Sequence, residues 1–138
     1  MTQTPSLPQS DPDHEGRSAA RVLVVEDERL IAQDLQRRLG RLGYPVCGVV
    51  SSGEEAIDKA ESQRPTVILM DIVLQGQMDG IEAADLIRTT FDIPIIYITA
   101  YGDEPTVRRA NMARPSDYLV KPFNDHQLEA ALEHALGR

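Results

Sequence analysis

A single cysteine, no long apolar run and a shortage of positive charge each remove a class of function. Cys47 has no second thiol anywhere in the 138 residues. That excludes an internal disulfide, leaves a thiolate metal site without ligands and fits a reducing compartment, so cytoplasmic residence is expected. No stretch approaches the about 20 consecutive apolar residues that a membrane-spanning helix needs. The N-terminus lacks the basic-then-apolar order of a signal peptide. Lys and Arg number 14 against 22 Asp and Glu, a formal net charge of −8. Such a chain is repelled by a phosphate backbone, so neither nucleic acid nor membrane is expected as a partner. The local basic stripe Arg37, Arg38 and Arg41 reads as the solvated face of a helix.

Apolar residues at 41% and charged residues at 26% are what one soluble globular domain carries. Residues 1–20 hold Pro5, Pro8 and Pro12 among Ser, Gln and Asp without apolar periodicity. They cannot bury enough surface to offset their ordering entropy, so they are expected to form a disordered tail before a domain at 21–138. From Arg21 onward, five apolar runs rich in Val and Ile occur at 22–25, 46–50, 67–70, 93–98 and 118–120. They are too short for helices. Segments of helical spacing lie between them: Ile31, Leu35, Leu39 and Leu42; Ile81, Ala84 and Ile87; and a weaker pair, Val107 and Ala110. A last segment opens with Asn124 and Gln127 in capping-box positions and places Leu128, Ala131, Leu132 and Ala135 on one face.

Alternating strands and helices predict an α/β domain with a doubly wound parallel sheet and helices on both faces. In the flavodoxin-like (βα)5 arrangement the strand order is 2-1-3-4-5, and the crevice lies at the carboxyl ends of strands 1 and 3. Glu26 and Asp27 follow the first run, Asp71 the third and Lys121 the fifth. Three carboxylates and one ammonium would then share a pocket. Carboxylates crowded together repel, and a hard cation such as Mg2+ between them relieves the repulsion. That combination suits chemistry on phosphate.

The motifs Val-Val-Glu-Asp-Glu at 24–28, Leu-Met-Asp-Ile at 69–72, Met-Asp-Gly at 78–80, Ile-Thr-Ala at 98–100 and Lys-Pro-Phe at 121–123 stand in order, each at a strand end or in the loop after it. On these motifs residues 21–136 resemble the receiver domain of bacterial two-component response regulators. The resemblance implies that Asp71 is the phosphoacceptor and takes its phosphoryl group from a sensor histidine kinase. It implies Asp27 as direct Mg2+ ligand, Glu26 as a ligand through water, and the Val73 main-chain carbonyl as a further ligand, with Mn2+ able to replace Mg2+. Glu26 stands where the family most often has aspartate. Thr99 is implied as the hydroxyl that bonds the phosphoryl group, with the small Ala100 leaving room beside it, and Lys121 as the pairing ammonium. The Lys121–Pro122 peptide is implied to be cis, an isomer accessible because proline follows. Glu28 reads instead as an acid of the first helical turn, and Gly80 as a turn residue.

Tyr118 matches the aromatic that turns inward when Thr99 moves. The chain ends within its last helical segment, so a stand-alone receiver is expected, not an independent enzyme. Its outputs would be a protein contact, a homodimer through the fourth helix, fifth strand and fifth helix, or onward transfer to a histidine phosphotransfer protein. Arg108, Arg109, Met112 and Arg114 are the candidate readout patch. Val73 and Tyr101, each two residues beyond a reactive position, flank the approach of a hydrolytic water and predict a long-lived phosphoryl group. The rival reading is a small Mg2+-dependent phosphohydrolase working through an aspartyl-phosphate, which commonly has a second Asp where this chain has Val73. A flavin carrier of the same fold would need a hydroxyl-rich phosphate loop where Glu26, Asp27 and Glu28 stand.

Overall fold

The computed structural model describes residues 17–74, 76–100, 102, 103, 105 and 118–137. Five parallel strands, β1 (Val22–Val25), β2 (Val46–Val50), β3 (Val67–Asp71), β4 (Ile95–Ala100) and β5 (Tyr118–Lys121), form one sheet in the order β2-β1-β3-β4-β5. Four long helices are described: α1 (Arg29–Arg41), α2 (Gly53–Gln63), α3 (Gly80–Phe91) and α4 (Asp125–Ala135). The flavodoxin-like arrangement read from the sequence is the one found. The weak helical pair Val107 and Ala110 lies outside the described residues.

Side chains alternate across a strand, so a sheet covered on both faces needs apolar residues at every position. Leu23, Val25, Ile68, Met70 and Tyr97 point to one face, under Ala56 and Ala60 of α2 and Ala83, Ala84 and Ile87 of α3. Val22, Val24, Leu69, Ile96, Ile98 and Leu119 point to the other, under Leu35 and Leu39 of α1 and Leu128 and Leu132 of α4. Three of the four described helices start on a side-chain cap. Ser52 accepts from the Glu55 amide before α2. Asp79 with Glu82, and Asn124 with Gln127, close reciprocal capping boxes before α3 and α4.

Three expectations change. The fourth strand begins at Ile95, not Ile93, because Pro94 has no amide for the ladder; it runs on through Thr99 and Ala100, which pair with Val120 and Lys121. Arg38 is not on a solvated face. Its guanidinium stacks on Phe123 at 4.8 Å, bonds the Phe123 carbonyl at 2.7 Å and, with Arg41, holds Asp125. Residues 17–20, placed with the tail, lie against the domain. Arg17 pairs with Glu129 at 2.6 Å and Glu133 at 2.7 Å, donates to the Leu42 carbonyl and sits over the Tyr44 ring, while Ala20 is buried. Burial works to lower the Arg17 pKa, and the two glutamates raise it beyond its ordinary value. No helix among the described residues is long and apolar enough to cross a membrane.

Candidate functional site

The strand register decides which side chains meet. Val25 of β1 pairs with Met70 of β3, so Glu26 and Asp27 leave the sheet beside Asp71, the last residue of β3. Carboxylate oxygens of Glu26, Asp27 and Asp71 all lie within 4.8 Å of one another. From the far edge, Lys121 closes β5 and brings its Nζ to 3.3 Å from Asp71 Oδ2 and 3.5 Å from Glu26 Oε1. The other Asp71 oxygen, Oδ1, accepts from the Val73 amide at 3.0 Å. Each Asp71 carboxylate oxygen thus has a partner within the protein. The following peptide, Lys121–Pro122, is cis.

The acids are unequally placed. The Glu26 side chain is fully buried, whereas Asp27 is half-buried at the mouth. Burial, with the adjacent Asp71 carboxylate, pushes the Glu26 pKa up to about 7; the Glu28 amide, donating to Oε2 at 3.1 Å, and the Lys121 charge act against the shift. For Lys121, burial alone would lower the pKa, but Asp71 and Glu26 outweigh it and the net direction is up. A cavity of about 310 Å³ opens over this group, lined by Asp27, Glu28, Asp71, Val73, Ala100 and Lys121. Three convergent carboxylates, one half in solvent, suit a small hard cation that keeps part of its water shell.

Thr99 is buried, its hydroxyl donating to the Ala100 carbonyl at 3.4 Å, and Ala100 is exposed at the cavity rim. Tyr118 is half-buried on β5 beside a separate cavity of about 410 Å³ between β5 and α4. The Val73 side chain is 66% exposed at the rim. Tyr101 and the patch Arg108, Arg109, Met112 and Arg114 lie outside the described residues. Glu28 precedes the first helical turn of α1 instead of sitting in it, with no side-chain cap, and its amide rather than its carboxylate serves the site.

Sequence reasoning missed what Gly80 does. It is the first residue of α3 and buried, and a Cβ there would overlap the Asp71 carbonyl oxygen and lie 2.9 Å from Ile72 Cα. No other residue lets α3 start this close to the Asp71 backbone. The only sequence signal was Asp79-Gly80 followed by Glu82, which marks a capped helix start and not a close approach.

The model of the response regulator receiver domain family matches residues 22–133. The transcriptional regulatory protein PdtaR of Mycobacterium tuberculosis is 40% identical over 118 residues, 86% of this chain and 57% of that protein. The phyllosphere-induced regulator PhyR of Methylorubrum extorquens is 37% identical over 119 residues, 86% of this chain and 44% of PhyR. The chain belongs to the response regulator receiver family. The signal receiver domain of a modulated diguanylate cyclase from Desulfovibrio desulfuricans G20 superposes with a TM-score of 0.78 at 42% identity, covering 86% of this chain and 94% of that one. The receiver domain of PhyR from Erythrobacter litoralis gives a TM-score of 0.74 at 30% identity, covering 86% and 90%. Receiver domains serve two-component signalling: they take phosphoryl groups from histidine kinases and bind Mg2+ at an acidic pocket. This receiver spans about half the length of the curated relatives it matches.

Proposed function

We propose that this receiver accepts a phosphoryl group on Asp71 from a sensor histidine kinase in the cytoplasm and passes its state on by protein contact, self-association or onward transfer to a histidine phosphotransfer protein. The observation that carries the reading is the convergence of Glu26, Asp27 and Asp71 within 4.8 Å under the Lys121 ammonium. An Asp71 carboxylate oxygen forms the new bond to phosphorus while the donor's phosphorus–nitrogen bond breaks in line, and the donor imidazole leaves with its electron pair and takes up a proton. The product is an acyl phosphate. Lys121, already aimed at Asp71, pairs with the charge gathering on the equatorial oxygens, and the small Ala100 leaves them room. Thr99 turns its hydroxyl to the phosphoryl group, and Tyr118 follows into the vacated space.

Asp27, Asp71 and the Val73 carbonyl would hold Mg2+ or Mn2+, with Glu26 behind them through water. When bound there, the ion supplies positive charge that offsets repulsion between the phosphoryl oxygens and the carboxylates. Nothing favours the phosphohydrolase reading, since the position two residues after Asp71 holds a valine with no proton to give.

The chemistry of an acyl phosphate supplies the test. Protein treated with acetyl phosphate and Mg2+, then reduced with borohydride and digested, should show homoserine at position 71 alone. Homoserine at Asp27, or at no position while phosphate is incorporated elsewhere, contradicts the reading.

A further inference from the structure

Helix α3 is fastened at both ends to residues that lead into the acidic pocket. At its N-terminus, Gly80 lies against the Asp71 carbonyl, and the Gly80 amide donates to the Ile72 carbonyl at 3.2 Å. The Asp79–Glu82 capping box holds this first turn rigid. At its C-terminus, Arg88 donates to the Tyr97 hydroxyl at 2.7 Å, stands 6.0 Å from the centre of its ring, and pairs through its other nitrogen with Asp85 at 2.6 Å.

Tyr97 is fully buried in β4. It stands two residues before Thr99, so both side chains leave the strand on the same face. Its register partner on β5 is Tyr118, which packs against the same apolar cluster as Tyr97 and Ile87. The hydrogen bond from Arg88 and its place over the ring tie the end of α3 to the strand that carries Thr99.

Between these two attachments the helix is a single rod. Its inner positions, Ala83, Ala84 and Ile87, are fully buried, while Leu86 is 48% exposed on the outer side. A change at the Asp71 backbone bears on one end of the rod, and a movement of the Thr99 strand bears on the other. A packed interior responds by switching between arrangements rather than by deforming smoothly.

We propose that α3 is a second output element of this receiver, tilted by occupancy of Asp71, with Arg88 as the positioning residue that couples its C-terminal turn to Tyr97. The proposal rests on Asp71 being the phosphoacceptor. It adds an output on the α2 and α3 face of the sheet to the one through β5 and the last helix.

Hydrogen exchange read by mass spectrometry, with and without acetyl phosphate and Mg2+, tests it on the full chain, on Tyr97→Phe and on Arg88→Met. Intact mass is taken in every sample. Tyr97→Phe keeps the ring and removes only the hydroxyl, so it decides the matter even if Arg88→Met does not fold. The parent should gain a phosphoryl group and change the exchange rates of the last two turns of α3 at least threefold. Tyr97→Phe should gain the same phosphoryl group with that change reduced to less than half. A phosphorylated parent with unchanged α3 exchange, or a Tyr97→Phe chain that shows the parent's full change, overturns the proposal. A parent that gains no phosphoryl group overturns the Asp71 reading instead, and this proposal falls with it.

Discussion

Burial and the Asp71 carboxylate push Glu26 up to about 7 from an ordinary 4.5, and the direction of that shift fixes a pH dependence. A carboxyl whose pKa is higher in the fold than in the unfolded chain holds more protons when folded. Its contribution to stability is full below the unfolded pKa and is lost as pH rises through the folded one. In chelator, the melting temperature of the parent should therefore fall, relative to that of Glu26→Gln, as pH rises from 5 to 8. A constant difference between the two across that range would show that Glu26 is not a strained carboxyl. Val73 bears a second prediction at this scale. Its exposed side chain at the cavity rim has no atom that can hold an attacking water, so Val73→Asn combined with Tyr101→Glu should lose phosphate faster than the parent, by about tenfold for each 1.4 kcal/mol of barrier removed. A double variant that keeps its phosphate as long as the parent refutes the shielding idea. That Glu26, Asp27, Asp71 and Lys121 would converge was legible in the sequence, because each follows or closes an apolar run. Glu26's depth was not, since burial of an acid depends on the strands that flank it.

Among the elements, α3 and the segment before β1 carry the strongest structural consequences. Gly80 is required for the space its missing Cβ leaves, so Gly80→Ala must move either α3 or the Asp71 backbone. Overpacking of this kind costs about 1–3 kcal/mol. Denaturant unfolding should show that loss, and a variant as stable as the parent would mean the junction yields freely. The strands, α1 and α4 were readable from apolar periodicity. Helix α2 was not, because the residues it buries, Gly53, Ala56 and Ala60, are small and make no apolar stripe. The start of β4 was misjudged for a related reason: Ile93 is buried like a strand residue, but Pro94 separates it from the ladder. Arg17 escaped notice as well, since its partners Glu129 and Glu133 are more than a hundred positions away. A chain beginning at Gly16 should melt with the full-length protein. One beginning at Arg21 should lose on the order of 1–2 kcal/mol through the missing ion pairs and ring contact, and Arg17→Ala should reproduce most of that loss. Equal melting of all three would show that the Arg17 contacts add nothing.

For the whole molecule, the two apolar faces and the strand order place the carboxyl ends of β1, β3 and β5 at one rim, and the site is a consequence of that placement. A sheet in which β1 did not neighbour β3 would separate Glu26 and Asp27 from Asp71. The order followed from the βα alternation and the positions of the acids, which is why the fold and the site were read together. The contact of Arg88 with Tyr97 was not legible, because Arg88 looks like any basic residue in a last helical turn. In the proposed function Asp71, supported by its acidic neighbours and a divalent cation, takes a phosphoryl group. Intact mass after incubation with acetyl phosphate measures this directly. The parent in Mg2+ should gain one phosphoryl group, while the parent in chelator and Asp71→Asn in Mg2+ should gain none; equal gain by Asp71→Asn, or undiminished gain in chelator, would contradict the account.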